Sequence, residues 1–233
     1  ELEQKREGGG GASSMLVSAA PAIDGAMAAK MRNGGEACTS ANRFLVHASI
    51  ADRFSAGLTA RMAELRLGRG TEPDVDVGPL IRERDRAKVA GLVDDAVQAG
   101  ATVTTGGEPV DRPGWFYEPT VLTDVPSDAD VVDTEIFGPV APVVTFEDVD
   151  EAITMANATE AGLVSYLYTQ NLDAALRVAE ALEAGMVGVN RGVVSNPAAP
   201  FGGVKSSGLG REGGAEGIEA YLETQYVGIA LSD

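Results

Sequence analysis

The residue with the most chemistry to offer in this 233-residue chain is its single cysteine, Cys38. One thiol cannot form an intramolecular disulfide, which leaves two readings: a small buried hydrophobe or a nucleophile. A nucleophilic thiol must be reachable and must ionise, whereas a structural one sits among apolar neighbours. The neighbours of Cys38 are polar. Gly34 and Gly35 before it allow a tight turn and close approach of a ligand to the backbone. Thr39, Ser40 and Asn42 follow it, and Arg32 and Arg43 flank it with positive charge that favours a thiolate. Free cysteine is also among the most buried residue types, so the residues alone leave both readings open. His47, the only histidine, lies inside an apolar run just downstream. It reads as packing or surface, since the histidine partners of catalytic thiols are usually distant in sequence.

The run Arg32-Asn-Gly-Gly-Glu-Ala-Cys38, continuing to Ala41-Asn42-Arg43, resembles the nucleophile motif of the aldehyde dehydrogenase superfamily, an Asn-x-Gly-Gln-x-Cys run followed by an arginine. Glu36 stands where glutamine is usual. Two further stretches match in order and distance, Glu135-Ile-Phe-Gly-Pro139 and Pro200-Phe-Gly-Gly-Val-Lys-Ser-Ser-Gly-Leu-Gly-Arg-Glu-Gly213, followed by a matching tail from Glu219 to Leu231. The resemblance covers about Ala22 to Leu231 and, within the superfamily, is strongest to the succinate-semialdehyde dehydrogenases.

That resemblance implies a mechanism. Cys38 attacks an aldehyde carbon to give a thiohemiacetal, hydride leaves to NAD or NADP, and the resulting thioester is hydrolysed, so that one hard oxidation becomes two easier steps. It further implies that Glu135 holds the nicotinamide ribose and that Phe137 positions the nicotinamide ring. Arg32 and Ser195 fall where that group holds the far carboxylate of its substrate, and a guanidinium and a hydroxyl are suitable donors for one. The implied partners are a small carboxylate-bearing semialdehyde and further copies of the chain, paired through the last strand.

Composition narrows the alternatives. The balance of 18 basic against 35 acidic residues gives a net charge of −17, which repels polyanions and argues against nucleic-acid binding. No apolar run approaches the roughly 18 residues of a membrane span. A single thiol without a disulfide framework agrees with a reducing compartment, and the cytoplasm is the expected location.

The elements that must position these residues follow from periodicity. Ile23, Met27 and Met31 mark one helix face leading into the Cys38 turn, and Arg43 to Ala48 reads as a strand. Ile50, Phe54, Leu58, Met62 and Leu65 mark a second helix, and Val89, Leu92, Val93, Ala96 and Val97 a third. Short strands are expected over 101–105 and 115–122, with an acidic loop over 124–133. Val140 to Phe146 is a strand, Val149, Ala152, Ile153 and Ala156 mark a helix, and Leu163 to Tyr168 is a strand. Leu172, Ala175, Leu176, Ala179 and Leu182 mark a last long helix before the strand Met186 to Asn190. Strands separated by single helices predict an α/β fold with a layered, mostly parallel sheet flanked by helices. Residues 213–220 are expected to be helical and 221–233 to form a terminal strand, exposed unless a partner covers it.

Residues 1–14, charged and then glycine-rich, read as a flexible or foreign lead-in, and 15–220 as the catalytic domain. The superfamily carries a Glu-Leu-Gly-Gly motif with its general base upstream of the cysteine. Glu1-Leu2 begins that way and Glu3-Gln4 breaks it, so the base is not securely present. Gly208-Leu-Gly210-Arg-Glu-Gly213 satisfies G-x-G-x-x-G, but it follows a serine-rich loop rather than a strand and is rejected as a dinucleotide fingerprint. No strand, glycine turn and helix unit precedes Cys38, so the resemblance implies the catalytic half of such an enzyme, with the cofactor-binding domain outside it. Two readings are carried forward: a catalytic domain acting on succinic or another semialdehyde, and a non-catalytic fragment or assembly partner that keeps an inherited site.

Overall fold

The computed structural model describes residues 19–231, and the lead-in with its broken Glu1-Leu2 motif lies outside them. A helix α1 (Ala19–Met31) runs into a 3-10 turn (Arg32–Gly35), and after the Cys38 turn come β1 (Phe44–His47) and α2 (Ala48–Ala63). The chain continues through α3 (Glu83–Gln98), β2 (Thr102–Thr105), β3 (Thr120–Thr123), the short α4 (Asp130–Asp133) inside the expected acidic loop, and β4 (Val140–Phe146). Then follow α5 (Val149–Asn157), β5 (Ala161–Gly162), β6 (Val164–Leu167), α6 (Leu172–Ala181), β7 (Met186–Val189), β8 (Val204–Lys205) and a second 3-10 turn (Glu216–Tyr221).

The main sheet has the order β1-β4-β3-β2, parallel except for the β2–β3 pair. Strand β4 is its axis. Its residues alternate between two cores, as a strand buried on both faces must. Val140 and Val144 join Leu122, Val131, Ile136, Val89, Leu92 and Val93 under α3 and α4. Ala141 and Val143 join Val121, Phe54, Leu58, Met62, Ala26 and Met27 under α1 and α2. The predicted faces of α2 and α3 are therefore the buried ones, although Val97 is left exposed at the end of α3. Helix α6 differs. It buries Ala175 and Val178 and leaves Leu172 and Leu176 exposed, because it rests on a small sheet that covers only a narrow stripe.

That small sheet is the parallel pair β6–β7, separate from the main one. A crevice of about 1200 Å³ lies between its edge and that of β1, lined among others by Phe44, Val46, Tyr166, Tyr168, Cys38 and Glu135. Antiparallel β5–β8 and the bridge between Phe201 and Glu212 close the C-terminal loop on itself. Arg211 within Gly208–Gly213 donates to the carbonyls of Gly203, Leu209 and Gly210, so this segment is a self-bonded closing loop and does not open a helix. The expected terminal strand finds no ladder within one chain: residues 222–231 lie in no helix or strand and are exposed, and the final two residues lie outside the described set. Strand hydrogen bonds need a neighbouring edge, and among the described residues no strand pairs with this segment.

Candidate active site

Three successive left-handed residues build the Cys38 turn: Asn33 (φ 52°), Gly34 (φ 64°) and Gly35 (φ 85°). Asparagine and glycine are the residues that adopt this region at least cost. Asn33 returns on itself, its carbonyl accepting from Glu36 N–H and its side-chain amide donating to Glu36 O, each at 3.0 Å. Ser40 N–H donates to Ala37 O at 2.8 Å and Ala41 N–H to Ala29 O at 3.0 Å, so the loop is pinned on both sides of the thiol. Cys38 itself is exposed.

A second loop, 134–139, packs against this turn. A Cβ on Gly35 would lie 2.2 Å from Gly138 O, so the two backbones meet at a distance only glycine allows. Asn42 ties them by its side chain. Its amide donates to Val132 O (3.3 Å) and Thr134 O (2.9 Å) and accepts from Ile136 N–H (2.8 Å), bracketing Glu135. Arg43 donates to Val132 O, Asp133, Met155 O and Ala156 O. The charge read from sequence as a thiolate-stabilising flank is thus engaged in holding backbone carbonyls. Phe137 has φ 52°, a conformation that costs a bulky residue strain and persists only where its surroundings enforce it.

The five residues singled out in the sequence fall into two groups. Arg32 and Ser195, 163 residues apart, meet directly: the guanidinium Nη1 donates to Ser195 Oγ at 3.1 Å. Cys38 and Glu135 line the same crevice, and Phe137 is half-buried two residues beyond Glu135. Glu135 is exposed, and its backbone carbonyl accepts from Lys88 Nζ at 3.0 Å. His47 Nδ1 accepts from Ser49 N–H at 3.1 Å, capping α2, and its ring stands edge-on to Phe146, which agrees with a packing role. Glu36, where glutamine was expected, has its carboxyl pushed up by burial, against the Ile81 N–H that favours ionisation and with Asp85 adding to the rise.

Sequence reasoning missed Asn42, Tyr166 and Lys30. Tyr166 on β6 donates its hydroxyl to Thr39 O, beside the cysteine, at 2.9 Å. Lys30, in the last turn of α1, is only 1% exposed, and burial lowers its ammonium pKa to about 7, the nearby Glu135 carboxylate opposing the shift. A lysine within a run of alanines and methionines was the available signal. The consequence for stability has a definite sign. Below pH 7 both folded and unfolded chains carry the proton and the full cost of burying the charge is present. Between about 7 and 10.5 the unfolded chain binds more protons, so stability rises with pH, and above 10.5 the cost is gone. At about 1.4 kcal/mol per pKa unit the upper bound is on the order of 5 kcal/mol. Lys30→Met is therefore expected to stabilise the chain at pH 6, by an amount that shrinks towards pH 10, as read from urea unfolding at pH 6, 8 and 10.

Comparison with known proteins gives this geometry a context. The profile of the aldehyde dehydrogenase family matches residues 6–227. A succinate-semialdehyde dehydrogenase of Paenarthrobacter nicotinovorans is 56% identical over 209 residues, which are 90% of this chain and 46% of that protein. A glutarate-semialdehyde dehydrogenase of Pseudomonas aeruginosa is 49% identical over 206 residues, 88% of this chain and 43% of that protein. Among solved structures, an NADP-dependent enzyme of Escherichia coli superposes with a TM-score of 0.90 at 47% identity, covering 92% of this chain and 45% of that one. The chain spans about half the length of the curated relatives it matches.

Proposed function

Since this chain belongs to the aldehyde dehydrogenase family, we propose that it is the part that carries the nucleophile and the substrate clamp of an NAD(P)-dependent succinate-semialdehyde dehydrogenase. The observation that carries the reading is the Arg32–Ser195 hydrogen bond, which brings together two donors for a carboxylate, one of them six residues before Cys38 in the chain. In a protein of net charge −17, a local guanidinium is what a dianionic product or anionic substrate needs. The aldehyde end then lies at the thiol. Cys38 adds to the carbonyl carbon, the resulting oxyanion is held by the Cys38 backbone N–H, and preorganised donors of this kind are worth about 3 kcal/mol each.

The residues present fit the nicotinamide end of a cofactor. Glu135 offers an exposed carboxylate, an acceptor for sugar hydroxyls, on the crevice that holds Cys38, and Ser40 Oγ on that crevice is buried without a hydrogen-bond partner. The pyrophosphate end has no counterpart among the described residues, because none of the turns β1–α2, β4–α5 and β6–α6 contains a glycine. NAD or NADP, when bound, supplies the hydride acceptor. Glu135 and Phe137 would hold and orient the nicotinamide half of it.

Two further proposals rest on exposure and on composition. Tyr221, Tyr226, Ile229 and Leu231 expose most of their surface, and such an apolar tail supports association with a second copy of the chain. Among the described residues no helix is long and apolar enough to cross a membrane. The single thiol, with no disulfide framework, supports a reducing compartment, and a cytoplasmic location is proposed on that ground. A five-carbon semialdehyde is the second reading, favoured by the 49% identity to the glutarate-semialdehyde enzyme.

The test uses the only thiol. Succinic semialdehyde is expected to slow alkylation of Cys38 by iodoacetamide at least about tenfold more effectively than butanal, the worth of one charge-assisted contact. Arg32→Met should erase most of that difference. Equal protection by butanal would sink the carboxylate reading.

A further inference from the structure

Tyr166 lies on β6, and the β6–β7 unit meets the rest of the site through three contacts that bear on its position. Ser195, on the loop after β7, receives Arg32. Tyr166 hydroxyl donates to Thr39 O, the carbonyl that follows the nucleophile. Gly25 of α1 packs so closely against Tyr168 and Gly192 that a side chain there would overlap the Tyr168 ring. The third contact is steric and limits approach. The first two are directional and sit at opposite ends of the proposed substrate, one at the carboxylate clamp and one at the thiol.

We propose that Tyr166 is a positioning residue that fixes the separation between Cys38 and Ser195, the half of the clamp carried by the β6–β7 unit, and so sets which length of ω-carboxy aldehyde the site accepts. With one bond only, the β6–β7 unit can pivot about Arg32 while the Cys38 turn stays with the main sheet. With both, the unit and the turn keep one spacing, and a substrate longer by one methylene no longer reaches both ends unstrained. Gly188 on β7 makes room for the ring: a Cβ there would sit 3.1 Å from Tyr166 Cδ1. The phenol remains a proton donor through neutral pH, because burial raises its pKa, and Cys38 adds to the rise, against the opposing Thr39 side chain and Arg32 charge.

This inference rests on the semialdehyde reading, and one experiment separates the two. The concentrations of succinic and glutaric semialdehyde that half-protect Cys38 from iodoacetamide are measured in the unmodified chain and in Tyr166→Phe, which removes one oxygen and keeps the ring. The unmodified chain should discriminate between the two aldehydes by about fivefold or more, and Tyr166→Phe should bring the ratio within about twofold with an unchanged far-ultraviolet circular dichroism spectrum. That range corresponds to loss of about one hydrogen bond. Protection with an unchanged ratio in Tyr166→Phe overturns the inference and leaves the semialdehyde reading standing. Loss of the fold in Tyr166→Phe also overturns it, since the tyrosine would then be holding the sheet. No protection of the unmodified chain by either aldehyde refutes both.

Discussion

Cys38→Ala should reduce NAD(P)-dependent oxidation of succinic semialdehyde by on the order of 10⁴ or more when the chain is supplied with the remainder of a full-length relative. Removing a nucleophile leaves only binding and oxyanion stabilisation behind, and losses of that size or larger are what such removal costs elsewhere. Nicotinamide absorbance reads the rate. A direct observation on the chain by itself complements it: carbonyl-labelled succinic semialdehyde should give a protein-bound tetrahedral carbon signal in the ¹³C spectrum, and Cys38→Ala should lack it. A variant that retained the signal would move the nucleophile away from Cys38, since no other thiol exists in the sequence.

Gly35→Ala should destabilise the fold by about 4 kcal/mol or more, at the extreme of what single substitutions do. Two costs coincide. The residue sits at φ 85°, where any Cβ is strained, and that Cβ would lie 2.2 Å from Gly138 O and 2.6 Å from Gly138 C, both backbone atoms that cannot rotate away. Gly34→Ala is the internal control. Its φ of 64° carries the same conformational penalty, but the nearest atom to its Cβ is Val77 Cγ1 at 3.6 Å, an ordinary contact. It should cost about 1 kcal/mol. Urea midpoints of the two variants decide the matter, and a Gly35→Ala value as mild as the Gly34→Ala one would mean the two loops do not touch as described.

What the sequence reveals about this molecule divides along a physical line. Elements whose identity rests on one face meeting one core were legible. Phe54, Leu58 and Met62 are buried on α2, and Val89, Leu92 and Val93 on α3, where their periodicity put them. Leu172 and Leu176 mark the helix that forms there yet stay exposed, because periodicity counts apolar residues and cannot know how narrow the supporting sheet is. The separation of β6–β7 from the main sheet was equally invisible, since each strand has the same apolar look whether or not its edge is paired. In the candidate site, Arg32 and Ser195 were found only through resemblance. No local rule connects residues 163 positions apart. Asn42 was passed over as a polar neighbour of the cysteine, although its three hydrogen bonds connect the two loops of the site. Side chains that satisfy distant backbone groups leave no periodic trace.

The division into two sheets has a consequence for how the molecule opens. Strand β4 is buried along almost its whole length, while all four residues of β6 are only half-buried and α6 faces solvent with much of its apolar surface. Regions with little buried surface open at lower free energy than the global transition. The β6–α6–β7 segment is therefore expected to open as a separate unit, its amides exchanging with solvent ahead of those in β3 and β4. Each such opening would take Ser195 away from Arg32, so the fraction of time the proposed clamp exists would be set by a local folding equilibrium. A ligand that bridges the two halves shifts that equilibrium towards the closed unit, and its apparent affinity is lower than its intrinsic affinity by the closed fraction.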